Sequence, residues 1–511
     1  MSRRTVVISP APTANGDLHL GHLAGPFLAA DVHTRYARAV GREVLFGTGV
    51  QDTQTYVVTT AHRLGITPQE LAARSAGDVD KSLAALGIAV DGYTGDEPRF
   101  TGFVVDFMTG LHEAGRLTER TVQLPYSPRT GEYLVDGHVR GGCPHCLADG
   151  CAGLCESCGH PIAAGELIDP RSTLHPDDVL ERREATVLVL PLEEYRDRLR
   201  AYYTQHAAAM RPHMAQAVED LLSRPLPDFQ ITYPIAWGIP FPAMPGQTVN
   251  SNAETMAWSI YVTARSAEAR GAVLGSIDEL WLPAADSEVV YFLGFDNTFP
   301  FAVAGVAMLL AYDGRYRLPD RFVTNEFYEL DNLKFSTSRG HTIGGRELAA
   351  EVPRDLIRFH LAATSPEFQR SDFSRGALER VTGTRLVEPW NRIAARVDRW
   401  AEAGELPVSE RSRKAAARIA ERFAATYELP GFSLVRATET LADQLARLAD
   451  WEPLPDQAGD YCHQVEAVLR CAAPILPDLA EQALPDTAFR AAAEAATIVP
   501  RRLPRLIGRA G

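Results

Sequence analysis

TVVISPAPTANGDLHLGH, residues 5–22, is the stretch of this sequence that says most about the fold. The β-branched run Thr5–Ile8 predicts a buried strand, and the Pro- and Gly-containing residues 10–16 predict a loop. The apolar spacing of residues 23–38 then predicts a helix. Together the three segments predict a strand-loop-helix unit.

Two histidines, His19 and His22, lie where this loop meets the helix. The N–H groups at a helix N-terminus favour phosphate, and imidazole N–H groups donate hydrogen bonds to charge that develops on a nucleotide. Taken alone, an H-x-x-H pair fits two solvated or metal-binding histidines equally well. The rest of the sequence has to distinguish these alternatives.

Strands, loops and helices alternate to about residue 115, with a second strand at Val44–Phe46. The alternation resumes with the apolar strand Val289–Gly294, which runs into Asp296. This pattern predicts an α/β fold with a doubly wound parallel sheet, whose ligands collect at the carboxyl ends of the strands. We therefore divide the chain into the first half of the sheet domain (residues 1–115), an insertion (116–225), the second half of the sheet domain (226–345), a linker (346–385) and a helical bundle (386–511).

The composition of the 511 residues, 46% hydrophobic and 23% charged, is typical of a globular protein. No apolar run approaches the roughly 18 residues of a membrane span, and no signal peptide opens the chain, so we expect a cytoplasmic protein without a membrane partner. The net charge of −14 argues against a surface that binds nucleic acid non-specifically.

Five of the seven cysteines fall within residues 143–158. Four of them form two C-x-x-C pairs, Cys143 with Cys146 and Cys155 with Cys158. This spacing predicts a structural Zn²⁺ site of four thiolates, whereas a disulfide pair fits an intracellular chain poorly. Cys151 and two nearby histidines leave open that one ligand is exchanged.

Lysine is rare: the chain has only Lys81, Lys334 and Lys414. Lys334 lies in a polar loop, NLKFSTSRG at residues 332–340, which we call the lysine loop. An ammonium on a flexible stem can follow a phosphate more readily than a guanidinium can. A solvated surface loop is the alternative interpretation of the same residues.

In this order, the HLGH motif, the Gly294–Asp296 segment after a late strand, and the lysine loop resemble the class I aminoacyl-tRNA synthetases, whose signatures are HIGH and KMSKS. The sequence is most similar to the methionyl-tRNA synthetase family, over essentially the whole chain. Further matching segments are PTANG (12–16), the cysteine pairs, ELIDP (166–170), WGIP (237–240) and the terminal bundle.

The resemblance implies a Rossmann-type core that binds ATP and an amino acid and forms an aminoacyl-adenylate. His19 and His22 would stabilise the α-phosphate, and Mg²⁺ would neutralise charge on the pyrophosphate. The residues expected to hold the pyrophosphate are Lys334, Ser336, Thr337 and Ser338. The other expected ATP contacts are Gly21, Gly294, Asp296, the backbone near Phe327 and Tyr328, and Arg339.

The amino-acid pocket departs from the family pattern. Expected pocket positions are Pro12, Thr13, Gln51, Asp52, Asn250, Pro300 and Phe301. Thr13 stands where the family has tyrosine, Gln51 where it has the aspartate for the α-amino group, and Asn250 where it has tryptophan. Asp52 is adjacent to Gln51 and could take the aspartate's role. Because a thioether pocket relies on aromatic and apolar walls, these changes predict an amino acid other than methionine.

The lysine loop and the bundle depart as well. Thr337 replaces the second family lysine, which predicts slower activation unless Arg339 compensates. In the bundle Asn391 matches a family anticodon contact, but its partner arginine is Ala395. Residues 445–450 carry no aromatic platform for stacking bases. These changes predict a poor tRNA discriminator.

We therefore expect an ATP-dependent ligase that passes the activated amino acid to a small-molecule or carrier acceptor. Similar domains form part of hydrazine synthetases, where the acceptor is an N-hydroxylated amine and a cupin partner is usual. Here the cupin would be a separate protein. The alternatives are a divergent methionyl-tRNA synthetase that charges tRNA and a weakened, nucleotide-regulated binding protein. Because the chain ends soon after the bundle, we expect a monomer.

Overall fold

The computed structural model describes residues 3–95, 97–155, 157–335, 341–486 and 488–508, except for the side chain of Lys334. The first part of the chain contains β1 (Arg4–Ile8), α1 (Leu20–His22), α2 (Leu28–Ala39), β2 (Val44–Gly49), α3 (Thr55–Leu64), α4 (Pro68–Ala85), β3 (Gly92–Thr94) and α5 (Pro98–Glu113). The predicted first helix is present, but it opens with wider π-helical turns over Leu23–Phe27, which contain Pro26.

The second part departs from this alternation. It contains β4 (Thr118–Ser127), β5 (Glu132–Tyr133), β6 (Val139–Gly142), β7 (Asp149–Cys151), β8 (Gly153–Leu154), β9 (Pro161–Ile162), β10 (Ile168–Ser172), β11 (Glu181–Pro191), α6 (Arg196–His206), α7 (Pro212–Leu222) and β12 (Asp228–Gln230). A four-stranded antiparallel sheet, in the order β12-β11-β4-β5, is formed within it.

The third part returns to the parallel sheet. It contains β13 (Thr232–Tyr233), β14 (Thr248–Val249), α8 (Thr255–Ala269), β15 (Ser287–Gly294), α9 (Val306–Ala311), β16 (Arg321–Asn325), β17 (Tyr328–Leu330) and β18 (Leu333–Lys334). The chain is π-helical over Thr298–Gly305 and then continues as α9.

The last part is mainly helical. It contains α10 (Gly345–Glu351), α11 (Arg354–Ala363), β19 (Ser371–Phe373), α12 (Arg375–Thr382), α13 (Glu388–Val397), β20 (Leu406–Pro407), α14 (Glu410–Tyr427), α15 (Leu434–Asp450), α16 (Ala458–Ala472), α17 (Pro477–Ala483), α18 (Ala491–Glu494) and β21 (Thr497–Ile498). None of the helices in the described ranges has both the length and the apolar character of a membrane span.

The central sheet has five parallel strands in the order β16-β15-β1-β2-β3. Alternate residues of β1 point into different cores, Val7 into one and Val6 and Ile8 into the other. Both faces of the sheet are therefore covered, which explains why Val6, Val7 and Ile8 are all apolar rather than alternating with polar residues. The α/β fold class predicted from the alternation is confirmed.

Asp136, in the second part of the chain, lies where that part contacts α3 and β13. One of its carboxylate oxygens accepts a hydrogen bond from the Tyr233 hydroxyl (3.0 Å), and the next residue, Gly137, donates its N–H to Thr55 Oγ1 (2.9 Å). Burial raises the pKa of Asp136 to about 6. A Cβ on Gly153 would lie 2.6 Å from the same carboxylate, so glycine is needed at that position.

Candidate active site and zinc site

The candidate active site lies at the carboxyl ends of β1 and β15, which are neighbours in the sheet. In the sheet, β2 and β3 lie on one side of this pair of strands, next to β1, and β16 lies on the other side, next to β15. Such a reversal of strand order opens a crevice at the strand ends, where ligands of doubly wound sheets bind. His19 and His22 follow β1, and Asp296 follows β15, so the fold brings these three residues to the same edge.

The two histidines are stacked on each other. The His19 and His22 ring centroids are 3.8 Å apart, and Phe335 stacks on the other side of His19 at 4.9 Å. A Cβ on Gly21 would lie 3.0 Å from His19 Nδ1 and 3.2 Å from the Phe335 ring. The glycine of HLGH therefore lets the Phe335 ring approach His19 closely.

Backbone hydrogen bonds tie the HLGH segment to residues 343–345, which follow the lysine loop in the sequence. Leu20 donates its N–H to the Ile343 carbonyl (3.0 Å), and Gly345 donates to the Leu18 carbonyl (3.2 Å). These two segments are more than 300 residues apart in sequence, and the hydrogen bonds join them directly. The predicted pyrophosphate contacts Ser336, Thr337 and Ser338, together with Arg339, lie outside the described residues. The structure describes only the backbone of Lys334, which lies in β18.

Asp296, the predicted ribose contact, lies in a short helical turn directly after β15. A Cβ on Gly294 would lie 2.7 Å from Asp296 Oδ1, so glycine permits the carboxylate to fold back on the strand end. Of the two residues expected near the adenine, Phe327 packs under the Arg370 guanidinium, 5.5 Å from its ring centroid. Tyr328 is buried, and burial raises the pKa of its hydroxyl.

Four of the predicted amino-acid contacts, Pro12, Thr13, Gln51 and Asp52, lie next to one another. Thr13 and Gln51 form a parallel β-bridge, and the Gln51 N–H donates to the Pro12 carbonyl (2.9 Å). Asp52 follows, and its carbonyl accepts a hydrogen bond from the Trp237 indole (3.2 Å). The fold therefore joins the PTANG segment to the strand end after β2.

The remaining predicted pocket residues are buried. The Asn250 amide donates to the Gln230 carbonyl (2.7 Å) and accepts from the Asn252 N–H (2.9 Å). Pro300 and Phe301 lie in the π-helical segment, where the Phe301 ring contacts Tyr291 at 5.7 Å between centroids. Asn250 therefore shapes a turn, and Phe301 belongs to the core beneath the site.

Sequence reasoning missed two residues of the site. Phe335 is one of them, and its position inside the lysine loop, next to Lys334, is the signal that could have found it. Glu254 had no local signal: its side chain is almost fully buried, and its carboxylate accepts a hydrogen bond from Thr53 Oγ1 (2.7 Å). Only the approach of two distant turns brings Glu254 to this edge.

The four predicted zinc ligands converge. The Sγ atoms of Cys143, Cys146, Cys155 and Cys158 all lie within 4.8 Å of one another. The Cys143–Cys158 and Cys146–Cys155 sulfur distances are 3.8 and 3.5 Å. A tetrahedron with Zn–S bonds of about 2.3 Å has sulfurs about 3.8 Å apart, so this donor set fits Zn²⁺.

Comparison with known sequences agrees with this geometry. The family described as tRNA synthetases class I (M) matches residues 5–398. The methionine–tRNA ligase of Chlorobaculum tepidum is 30% identical over 400 residues, covering 76% of this chain and 56% of that protein. The corresponding protein of Nocardioides sp. is 30% identical over 497 residues, covering 89% and 82%. The chain spans 56–60% of the length of four of the methionine–tRNA ligases that it matches.

A solved structure shares the fold. The Mycobacterium tuberculosis methionyl-tRNA synthetase in complex with methionyl-adenylate has a TM-score of 0.76 and 19% sequence identity, and the match covers 99% of both chains. The family match spans most of this chain and includes both the HLGH motif and the lysine loop. The chain therefore belongs to the class I tRNA synthetase (M) family.

Proposed function

We propose that this protein uses ATP to convert an amino acid into an aminoacyl-adenylate. An amino-acid carboxylate oxygen would attack the α-phosphorus of ATP, and the bond from that phosphorus to the bridging oxygen would break, releasing pyrophosphate. The observation that carries the proposal is the stacked His19–His22 pair at the same sheet edge as Asp296, in a chain of this family. Imidazole N–H groups there would donate to the α-phosphate as its charge increases. Mg²⁺ would neutralise the pyrophosphate.

The test is ATP–pyrophosphate exchange measured with each common amino acid. We expect exchange that depends on at least one amino acid and on Mg²⁺. Absence of exchange with every amino acid, under conditions in which Mg-ATP binds, would overturn the proposal.

We further propose that the acyl acceptor is not tRNA. Asn391 has both ends of its side-chain amide hydrogen-bonded to the backbone of Leu506 (2.9 Å each), and the Trp390 indole donates to the Pro504 carbonyl (2.8 Å). Both polar ends of the Asn391 side chain are therefore occupied within the protein. Ala395 supplies no charge. The specific acceptor that the resemblance suggests is an N-hydroxylated amine, and the partner would be a separate cupin protein.

A methionyl-tRNA synthetase that charges tRNA is the second candidate, favoured by relatives named methionine–tRNA ligase. Acid-precipitable aminoacyl-tRNA, measured with the amino acid that supports exchange and with total tRNA, separates the two. We expect no more label in tRNA than in a reaction without protein. Charging of tRNA with methionine would establish the second candidate instead.

We also propose that the four cysteines hold one structural Zn²⁺ per chain. Replacing Cys143 or Cys158 by serine is expected to remove the metal and to lower the thermal midpoint, because metal binding and folding of such a module are coupled. Metal content by mass spectrometry and thermal unfolding check this. Cys151→Ser, in the same loop, is the matched control and should retain the metal. Loss of zinc from that variant alone would make Cys151 a ligand.

A further inference from the structure

Three turns meet at the side of the site assigned to the amino acid. They are residues 12–14 after β1, residues 51–54 after β2, and residues 250–254 before α8. The first two are joined by backbone hydrogen bonds, from Gln51 N–H to the Pro12 carbonyl and from Ala14 N–H to the Gln51 carbonyl, both 2.9 Å.

The Gln51 side chain crosses from the second turn to the third. Its amide nitrogen donates to the Ser251 carbonyl, and its amide oxygen accepts from Gln54 Nε2 (2.9 Å). Both polar ends are thus engaged within the protein, and the side chain spans the gap between the two turns. A substrate side chain would have to break this bridge to pass between them.

A second side-chain hydrogen bond joins the same two turns, and we call it the second bridge. Thr53 Oγ1 donates to a carboxylate oxygen of Glu254 (2.7 Å), and the Glu254 side chain is almost fully buried. Asn250 anchors the third turn to β12, because its side-chain amide donates to the Gln230 carbonyl and accepts from the Asn252 N–H. The two turns are therefore fastened to each other and to the body of the domain.

Buried apolar and aromatic side chains are packed against one another next to these turns. Tyr291, Phe301 and Met256 are all buried there, and the Tyr291 hydroxyl donates to the Met256 sulfur at 3.8 Å. Close-packed cores leave little room for an additional chain of several methylene groups.

We propose that the site accepts an amino acid with a short side chain, of the glycine, alanine or serine class, and excludes methionine through the Gln51–Ser251 and Thr53–Glu254 bridges. This inference rests on the proposed amino-acid activation and specifies its substrate class. A long side chain must either displace buried hydrogen bonds or enter a filled core, and both cost binding energy.

The first experiment is amino-acid-dependent ATP–pyrophosphate exchange with glycine, alanine, serine, leucine and methionine. We expect kcat/KM for the best of the three short amino acids to exceed that for methionine at least about tenfold, the scale on which pocket size discriminates substrates. Exchange that is fastest with methionine or leucine would overturn the inference while leaving amino-acid activation intact. Exchange with none of the common amino acids would instead remove the activation on which it rests.

The second experiment uses Gln51→Ala, which removes one bridge and opens space. We expect the ratio of kcat/KM for methionine to that for the preferred short amino acid to rise at least about tenfold, mainly through a lower KM for methionine. Gln216→Ala, on the exposed face of α7, is the matched control and should leave the ratio unchanged. An equal loss for both amino acids in Gln51→Ala would show a merely structural role and would contradict the inference.

Discussion

Replacing His19 by alanine is expected to lower amino-acid-dependent ATP–pyrophosphate exchange by about 100- to 1,000-fold, the usual effect of removing one preorganised donor to transition-state charge. His19 is the middle ring of the stack formed with His22 and Phe335, at centroid distances of 3.8 and 4.9 Å. The change removes an imidazole donor and also the contact that aligns the second one. We expect the loss mainly in kcat, because the charge to be stabilised develops during the reaction.

His62→Ala is the control, because His62 is exposed near the end of α3. It should retain full exchange, and both variants should keep the zinc content of the unchanged protein. A His19→Ala protein that exchanges within about threefold of the unchanged protein would show that the pair does not act on ATP, since one donor is worth far more.

Replacing Arg358 by methionine is expected to lower the free energy of unfolding by about 3–5 kcal/mol, the cost of breaking a buried ion pair from one side. Arg358 is fully buried, and its guanidinium pairs with Asp31 at 2.7 Å. It also donates to the carbonyls of Leu86, Pro474 and Ile475 at 2.7–3.0 Å. Without the Arg358 guanidinium, the residues around Asp31 and Leu86 are no longer linked by hydrogen bonds to the turn after α16. Urea denaturation followed by circular dichroism measures the change.

Arg392→Ala is the control for this prediction. Arg392 forms an exposed ion pair with Asp450 at 3.4 Å, and removal of such a pair changes the free energy of unfolding by less than about 1 kcal/mol. Equal stabilities of the two variants would contradict the role given to Arg358.

The central sheet could be predicted because its signals are local. A run of β-branched or apolar residues such as Thr5–Ile8 or Val289–Gly294 is typical of a strand covered on both faces, and the structure has strands at both places. The cysteine spacing likewise defines a convergent four-sulfur set, because short turns bring each pair together. The helix boundaries were less well predicted, since the π-helical turns at Leu23–Phe27 and Thr298–Gly305 have no periodic signature.

The pocket shows what local signals leave out. Gln51 was predicted to lie near the amino acid because it aligns with the family aspartate for the α-amino group, and the structure puts it beside Thr13. That its amide reaches Ser251, 200 residues away, follows from no pattern in either segment. Glu254 was not predicted for the same reason.

The α/β class, the strand-loop-helix unit that carries His19 and His22, and the four-cysteine site follow from the amino-acid sequence, because each depends on residues close together in the chain. The stacking of Phe335 on His19, the pairing of Arg358 with Asp31, and the hydrogen bonds between the turns around Gln51 and Glu254 became visible only in the folded chain. Contacts between residues far apart in the chain depend on how the sheet order and packing bring distant turns to one edge, and no periodicity within a single segment encodes that meeting.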